Sequence, residues 1–307
     1  MELKKYIEAY SKNKNITSKY SKSSLFSNLK RIETAIDKKF EDWNVSDFKN
    51  DEKIIDELSD KYQLNSVIVS ISALKSWLIF NKSDEKIIKE YNEALKDMIK
   101  IKNDKVNTQE KNETEKALGD DFDWEIIQSK SKEFIEKNIK NAKNNKLRSL
   151  LILGLFSLQP PARLGNYLNM EYRKGDGKKL NTDMNYLTLK NGKYKFIFNN
   201  YKTSKYLGKV ELEVKNELLE ELLTKYLKTL EGRNPILFSM SSSQMTQILK
   251  KTTKKFFKVG ITLNTFRHAF ATFFMKSDPS IEEKQHTAKV IGQTYRVSRL
   301  EQYKRIE

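Results

Sequence analysis

The sequence contains no cysteine and only two histidines among its 307 residues. Without cysteine, disulfide bonds and thiolate metal sites are excluded, and two imidazoles are too few for a typical histidine-built metal centre. No stretch approaches the roughly 20 apolar residues that a membrane-spanning helix needs. The first residues, Met-Glu-Leu-Lys-Lys-Tyr, lack the apolar region of a signal peptide. We therefore expect a soluble, intracellular protein that is not secreted and that uses neither a metal nor a cofactor.

Positive charge is in clear excess. Lys and Arg together number 58 against 41 Asp and Glu, which gives a formal net charge of +17. Such an excess favours polyanionic partners, and nucleic acid is the commonest large polyanion. Lysine is spread evenly along the chain, however, as it also is in proteins whose surfaces are simply rich in lysine. Charge alone is therefore a weak indication of function.

The length and the apolar pattern predict two domains. Residues 1–104 carry apolar side chains at helical spacing, as in the run 25–36, and form the first, helical domain. Residues 105–121 are polar, poorly periodic and contain Gly119, which is typical of a linker. Residues 122–307 form the second predicted domain.

The most apolar segment of the second domain is Leu147 to Leu158, which predicts a buried helix. Pro160 and Pro161 end this helix, because a proline ring clashes with a continuing helix and offers no amide donor. Arg163 follows immediately. In isolation, an arginine at this place is as readily a surface residue as a functional one.

The apolar pattern then changes from helical to alternating. Residues 186–198 hold two runs of β-forming residues that are separated by an Asn-Gly turn. Residues 209–214 alternate between apolar and polar, as a half-exposed strand does. The loop 199–208 lies between the second and third runs and projects Lys202. We therefore predict a mainly α-helical chain with a small antiparallel β-sheet that presents a lysine at a loop tip.

A second arginine lies inside an apolar helical segment closer to the C-terminus. Arg267 stands in the run Asn264-Thr-Phe-Arg-His-Ala-Phe-Ala-Thr-Phe-Phe, which Thr262 can cap. An unpaired guanidinium in such surroundings costs free energy, so we expect an anion to meet it. Its planar fork of donors suits the oxygens of a phosphate.

These residues resemble a known family. The run from Arg267 to Thr272, Arg-His-Ala-Phe-Ala-Thr, is similar to the second arginine box of tyrosine recombinases, the phage integrase-like enzymes that break and rejoin DNA. The order Arg163, Lys202, Arg267 and Tyr303 also resembles the catalytic series of this family and of the related type IB topoisomerases. The resemblance covers roughly the predicted second domain and, more loosely, the helical first domain.

The resemblance implies a role for each residue. Arg163 and Arg267 would bind the non-bridging oxygens of the scissile phosphate and offset the charge of the transition state. Lys202 would protonate the leaving 5′ oxygen. Tyr303 would attack phosphorus and form a 3′-phosphotyrosyl bond. The helical domain and the catalytic domain would close around duplex DNA as a clamp.

The resemblance as a whole implies a site-specific DNA recombinase or integrase whose partner is double-stranded DNA. Recombination in this family takes place in a homo-tetramer on DNA, and the protein would be found wherever its target DNA lies, in the cytoplasm or in a host nucleus. The runs Pro160-Pro-Ala-Arg163 and Tyr201-Lys-Thr-Ser-Lys205 further resemble integrase-like proteins of large DNA viruses and their parasites. This implies a viral or mobile-element lineage.

The chain departs from the family pattern at two positions. The family usually carries His or Lys three residues before the second arginine, where this chain has Asn264. It usually carries His or Trp after a glycine upstream of the tyrosine, where this chain has Gln293. Both replacements keep a hydrogen-bond donor for a phosphate oxygen, but neither exchanges a proton near neutral pH. We expect a working but slower enzyme.

Other residues offer alternatives. Tyr295 is the alternative nucleophile, and Lys205 is the alternative to Lys202. His268 has aromatic and apolar neighbours and is expected to be a structural histidine, whereas His286 is expected at the surface. Two other functions also stay open. One is the relaxation of DNA by a type IB topoisomerase-like reaction, and the other is DNA binding by a protein that has lost catalysis.

Overall fold

The computed structural model of the protein describes residues 1–108, 110–175, 180–230, 232 and 235–292. The chain divides into two compact units, Met1–Thr108 and Gln109–Glu307. Each unit has a hydrophobic core of its own. The prediction of a mainly α-helical chain with a small β-sheet is confirmed.

The first unit is built from α-helices, with short 3-10 helices at Phe40–Asp42 and Val45–Phe48. The α-helices are α1 (Leu3–Asn13), α2 (Lys19–Ala35), α3 (Asp51–Ser59), α4 (Leu64–Phe80) and α5 (Glu85–Asn107). Helix α4 is apolar on most of its surface and packs against α2 and α5. Its Trp77 contacts the rings of Phe40, Trp43 and Phe48, with centroid separations between 5.4 and 6.2 Å. Aromatic packing therefore makes up the centre of this unit.

The structure differs from the sequence prediction in the expected linker, residues 105–121. Helix α5 continues to Asn107, and a further helix, α6, occupies Glu113–Leu118. Asn112 and Glu115 cap the first turn of α6 reciprocally, which satisfies backbone amides that would otherwise lack partners. Leu118 is buried in the core of the second unit. The division between the units thus falls inside the predicted linker, and helical residues lie on both sides of it: the end of α5 in the first unit, and α6 with a 3-10 helix at Gly119–Asp121 in the second.

Helices surround α8 in the second unit. After α6 come α7 (Trp124–Ile139), α8 (Asn144–Ser157), α9 (Ser204–Leu207), α10 (Glu217–Leu227), α11 (Ser242–Thr253), α12 (Leu263–Lys276) and α13 (Ile281–Val290). Every residue of α8 from Leu150 to Ser157 is buried, and the helix packs against α7, α10 and α11. A Cβ at Gly154 would lie 2.9 Å from Leu222 Cδ1, so the glycine permits the close approach of α10. The predicted apolar helix is therefore the central element of this unit.

The sheet has four strands in the order β1-β2-β3-β4: β1 (Glu171–Lys174), β2 (Tyr186–Lys190), β3 (Lys193–Phe198) and β4 (Val210–Glu213). Strand β1 runs parallel to β2, and the other pairs are antiparallel. The three predicted strands pair antiparallel as expected, and the unpredicted strand β1 adds a parallel edge, so the sheet is mixed. The sequence of β1, Glu-Tyr-Arg-Lys, is short and charged, so it carries little β signal. The Asn-Gly turn between β2 and β3 is as predicted, with positive φ at Asn191 and Gly192.

The predicted loop 199–208 between β3 and β4 contains the short helix α9 and is closed on itself. The Tyr201 hydroxyl donates to Gly208 O at 2.7 Å, across the base of the loop. Asn185 fixes the start of the loop, since its Oδ1 accepts from the amides of Asn199 and Asn200, each at 2.8 Å. The loop is thus a defined structure that presents Lys202 at the surface.

Candidate active site

Arg163 lies where the chain leaves α8 after Pro160 and Pro161, at the start of a 3-10 helix. Its side chain is half-buried. The guanidinium Nε donates a hydrogen bond to the backbone carbonyl oxygen of Gly292, at 2.8 Å. This bond joins two residues that are 129 positions apart in the sequence. The carbonyl is uncharged, so the contact orients Arg163 without neutralising it.

Arg267 lies in the second turn of α12 and is only 2% exposed. Its Nη2 donates to the carbonyl oxygen of Ile291 at 2.8 Å. The two arginines therefore bind the carbonyls of consecutive residues, Ile291 and Gly292, in the turn that follows α13. The apolar neighbours Phe266 and Ala269 are buried around the helix, as the sequence predicts.

Gly292 is required at this turn for two reasons. Its φ is +71°, a value that residues with a Cβ rarely adopt. A Cβ at this position would also lie 3.1 Å from Arg163 Nε and 3.2 Å from its Cδ and Cγ. The Arg163 side chain thus lies directly against the glycine, and the turn fixes where that arginine can be.

The loop that carries Lys202 is attached to the same turn. Thr203 is buried, and its hydroxyl donates to Gly292 O at 3.2 Å. That oxygen therefore accepts both from Thr203 and from Arg163. Burial raises the pKa of the nearby Tyr201, so its phenol stays protonated and able to donate to Gly208. Lys202 directly precedes Thr203 and is exposed, so its neighbour shares an acceptor with Arg163 while its own side chain stays accessible.

The remaining predicted residues differ in how far the structure describes them. Asn264 lies in the first turn of α12, three residues before Arg267, and is exposed. Gln293 and Tyr303 lie outside the described residues, as does the alternative nucleophile Tyr295. Lys205 is exposed on α9, so it stays an alternative to Lys202.

The two histidines have different surroundings. His286 is exposed on α13. His268 follows Arg267 on α12, and its Nδ1 is within hydrogen-bond distance of Glu115 Oε1. Glu115 is fully buried on α6. The contact agrees with the prediction of a structural histidine, although its partner lies in the segment that was predicted as a linker.

Sequence reasoning missed Thr203, Asn185 and Glu115. Threonine and asparagine within loops carry no distinctive pattern, so the first two had no usable signal. Glu115 did have one, because Asn112-x-x-Glu115 has the spacing of a capping box and therefore predicts a helix start. Among the described residues, no group of three His, Asp or Glu side chains is arranged to hold a metal ion. None of the helices in the described part of the chain has the length and apolar character of a membrane crossing.

Positively charged side chains are grouped around the turn Ile291–Gly292. Arg163 and Arg267 each donate to a backbone carbonyl oxygen of this turn, and the loop that carries Lys202 is attached to it through Thr203. Guanidinium groups arranged in this way can bind the oxygens of a phosphate, and an amine beside them can donate a proton. The arrangement therefore suits an anionic phosphate ester.

No protein-family model matches the chain, and no curated protein matches its sequence. Among solved structures, the crystal structure of XerA recombinase is similar, with a TM-score of 0.40 and 14% sequence identity over 99% of this chain and 93% of that chain. The XerH site-specific recombinase bound to its palindromic difH substrate, a post-cleavage complex, is similar with a TM-score of 0.48 and 14% identity. That similarity covers 98% of this chain and 90% of the XerH chain. Both are likenesses of fold.

Proposed function

We propose that the protein is a site-specific recombinase that breaks and rejoins double-stranded DNA through a 3′-phosphotyrosyl intermediate. The observation that supports the proposal best is the binding of Arg163 and Arg267 to consecutive carbonyls of one turn, Ile291–Gly292. These arginines come from separate elements of the fold, and the resemblance to tyrosine recombinases implies that both bind phosphate. Because both donate to the same turn, their side chains lie close together, as two arginines that bind one phosphate must.

In the proposed reaction, both guanidinium groups bind the non-bridging oxygens of one phosphodiester. They offset the negative charge that grows in the transition state, which is worth several kcal/mol in a preorganised site. The phenol oxygen of Tyr303 attacks phosphorus and forms the phosphotyrosyl bond, and its proton passes to solvent water. The bond between phosphorus and the 5′ oxygen breaks, and Lys202 supplies the proton that this oxygen takes up. The number of phosphodiester bonds is conserved, so rejoining needs no nucleotide cofactor.

Asn264 and Gln293 would complete the phosphate site as hydrogen-bond donors. Amide groups can donate to a phosphate oxygen, but they cannot take up or release a proton near neutral pH. Among these residues, Lys202 alone would then supply the proton of the leaving 5′ oxygen. The reaction should be slower than it is with a titratable residue at either position, but it does not require one.

The first unit, Met1–Thr108, would serve as a DNA-binding domain and the second, Gln109–Glu307, as the catalytic domain. The predicted domains were residues 1–104 and 122–307, with a linker at 105–121. The net charge of +17 favours contacts with several phosphates. Such contacts release counterions, so the affinity for DNA should fall steeply with rising salt concentration. Recombination would further require a homo-tetramer on two DNA sites.

The proposal can be tested with a pool of short duplexes of random sequence that carry a nick in one strand. Cleavage close to the nick releases a short fragment, which diffuses away and leaves an SDS-resistant protein–DNA adduct. We expect the wild-type protein to form this adduct. Tyr303→Phe should abolish it without loss of DNA binding, because the variant lacks the attacking oxygen. Tyr295→Phe is the matched control and should retain the adduct.

Other outcomes would assign a different function. An adduct that survives Tyr303→Phe would show that another residue is the nucleophile. Tight DNA binding by the wild type without any adduct would favour a DNA-binding protein that has lost catalysis. With a supercoiled plasmid that carries two mapped cleavage sites, a recombinant product is expected. Relaxation without that product would favour a type IB topoisomerase-like reaction.

A further inference from the structure

A buried carboxylate, that of Glu115, contacts His268, the residue that follows Arg267. Glu115 is 0% exposed, and its Oε1 lies 2.5 Å from Nδ1 of His268, 153 positions later in the sequence. Its other oxygen, Oε2, accepts from the amide of Asn112 at 2.9 Å. Both carboxylate oxygens are thus engaged. A buried carboxylate is retained only where such partners compensate for lost hydration, so this contact fixes α6 against α12.

The partner of Glu115 is adjacent to Arg267 on the same helix. Successive residues of an α-helix point about 100° apart around its axis. The directional bonds of helix α12 therefore include two that lie roughly a quarter turn apart: Arg267 Nη2 to Ile291 O, and His268 to Glu115. The other buried side chains here, such as Phe266 and Ala269, make apolar contacts, which are not directional and restrain rotation of the helix less.

We propose that Glu115 and His268 are positioning residues for Arg267. Their contact sets the rotation of α12 about its axis and thereby the point at which the Arg267 guanidinium meets a phosphate oxygen. This role rests on the proposed function, because it gives Arg267 a phosphate to bind. The contact itself is a property of the fold. A displacement of about 1 Å at such a group can cost a reaction about 100-fold in rate, so a small rotation would matter.

The first test needs no catalysis. Phenylglyoxal modifies accessible arginines, and mass spectrometry can follow its reaction with Arg163 and Arg267 separately in the full chain. His268→Ala should raise the modification rate of Arg267 about tenfold or more, since a hydrogen bond to a charged group is worth at least that factor in an opening equilibrium. The rate at Arg163 should not change. His286→Ala, the matched control, should change neither rate.

A second variant separates positioning from folding. His268→Asn places an amide donor near the position of Nδ1, so it should keep Arg267 protected. In the proposed reaction, His268→Ala should slow adduct formation at saturating DNA by about 10- to 100-fold while the DNA affinity stays the same. His268→Asn should restore the rate to within a few-fold of wild type, and Glu115→Gln is expected to lie between the two.

The outcomes that would overturn the inference are distinct. If His268→Ala leaves the reactivity of Arg267 unchanged, the contact does not position it. If reactivity rises equally at Arg163 and Arg267, the variant has loosened the whole unit, and the role is structural. If the wild type forms no adduct, the proposed function fails, while the two arginine reactivities still decide whether the contact holds Arg267.

Discussion

The two units of the protein use buried polar groups differently. In the first unit, the phenols of Tyr6 and Tyr91 are fully buried, and their hydroxyls have no hydrogen-bond partner among the residues that the structure describes. Burial raises the pKa of both phenols. The polar bonds between its elements lie towards the surface, such as that from Lys61 Nζ to Thr34 O. In the interior of this unit, these tyrosines therefore contribute mainly through the apolar packing of their rings.

In the second unit, polar bonds inside the structure join distant parts of the chain. Thr203 and Arg163 both bind Gly292 O, and Asn185 binds four backbone groups. Apolar packing holds elements together without specifying the position of any one atom, whereas hydrogen bonds are directional. The interior of the first unit is therefore held mainly by apolar packing, whereas hydrogen bonds in the second unit fix the positions of particular side chains. Four substitutions, with their controls, test this contrast.

The largest expected effect is on the stability of the first unit. Trp77→Ala removes the ring that contacts three other aromatic side chains, and it should lower the free energy of unfolding by about 3–5 kcal/mol. Urea unfolding followed by far-UV circular dichroism would measure it. Val69→Ala, on the same helix but 44% exposed, is the control and should cost less than about 0.5 kcal/mol. Equal costs for the two variants would contradict an aromatic centre.

The next effect concerns the turn in the second unit. Gly292→Ala adds a Cβ within 3.1–3.2 Å of three atoms of Arg163 and also strains the backbone at φ +71°. We expect about 1–2 kcal/mol of lost stability from the backbone. Displacement of Arg163 should further slow adduct formation by about 100-fold. The rate at saturating DNA and the free energy of unfolding are the two measurements.

Gly192→Ala is the matched control for this substitution. Gly192 has a similar φ, +77°, but a Cβ there would meet nothing within 4 Å. It should therefore carry the same backbone cost without the loss of rate. If both variants lose the same activity, strain rather than contact with Arg163 accounts for the effect, and the role assigned to the turn is wrong.

These two glycines also show what the sequence could and could not predict. Gly192 stands in an Asn-Gly turn between two β-rich runs, and both the turn and the strands follow from that local pattern. Gly292 stands where the family pattern has a glycine, before Gln293, but that pattern does not show that its carbonyl oxygen accepts from Arg163 and Thr203. Arg163 and Arg267 could be named from their motifs. Their common anchor needed the fold.

The expected linker and strand β1 are two places where the sequence prediction differed from the structure. Residues 105–121 were predicted to be a linker because they are polar. The spacing of Asn112 and Glu115 is that of a capping box, however, and it did indicate a helix. The parallel strand Glu171–Lys174 depends on a partner, Tyr186–Lys190, that is distant in sequence. Its own four residues carry no alternating pattern, so tertiary pairing decided its structure.

The smallest effects compare one hydroxyl from each unit. Tyr201→Phe removes the donor that closes the Lys202 loop onto Gly208 O at 2.7 Å, so it should cost about 0.5–1.5 kcal/mol of stability. Tyr6→Phe removes a buried hydroxyl that has no partner in the described part of the chain, so it should leave stability unchanged or raise it slightly, because the desolvation penalty disappears. Urea unfolding of both variants would show the difference. A larger loss from Tyr6→Phe than from Tyr201→Phe would reverse the contrast, since it would mean that the first unit depends on buried polar bonds and the second does not.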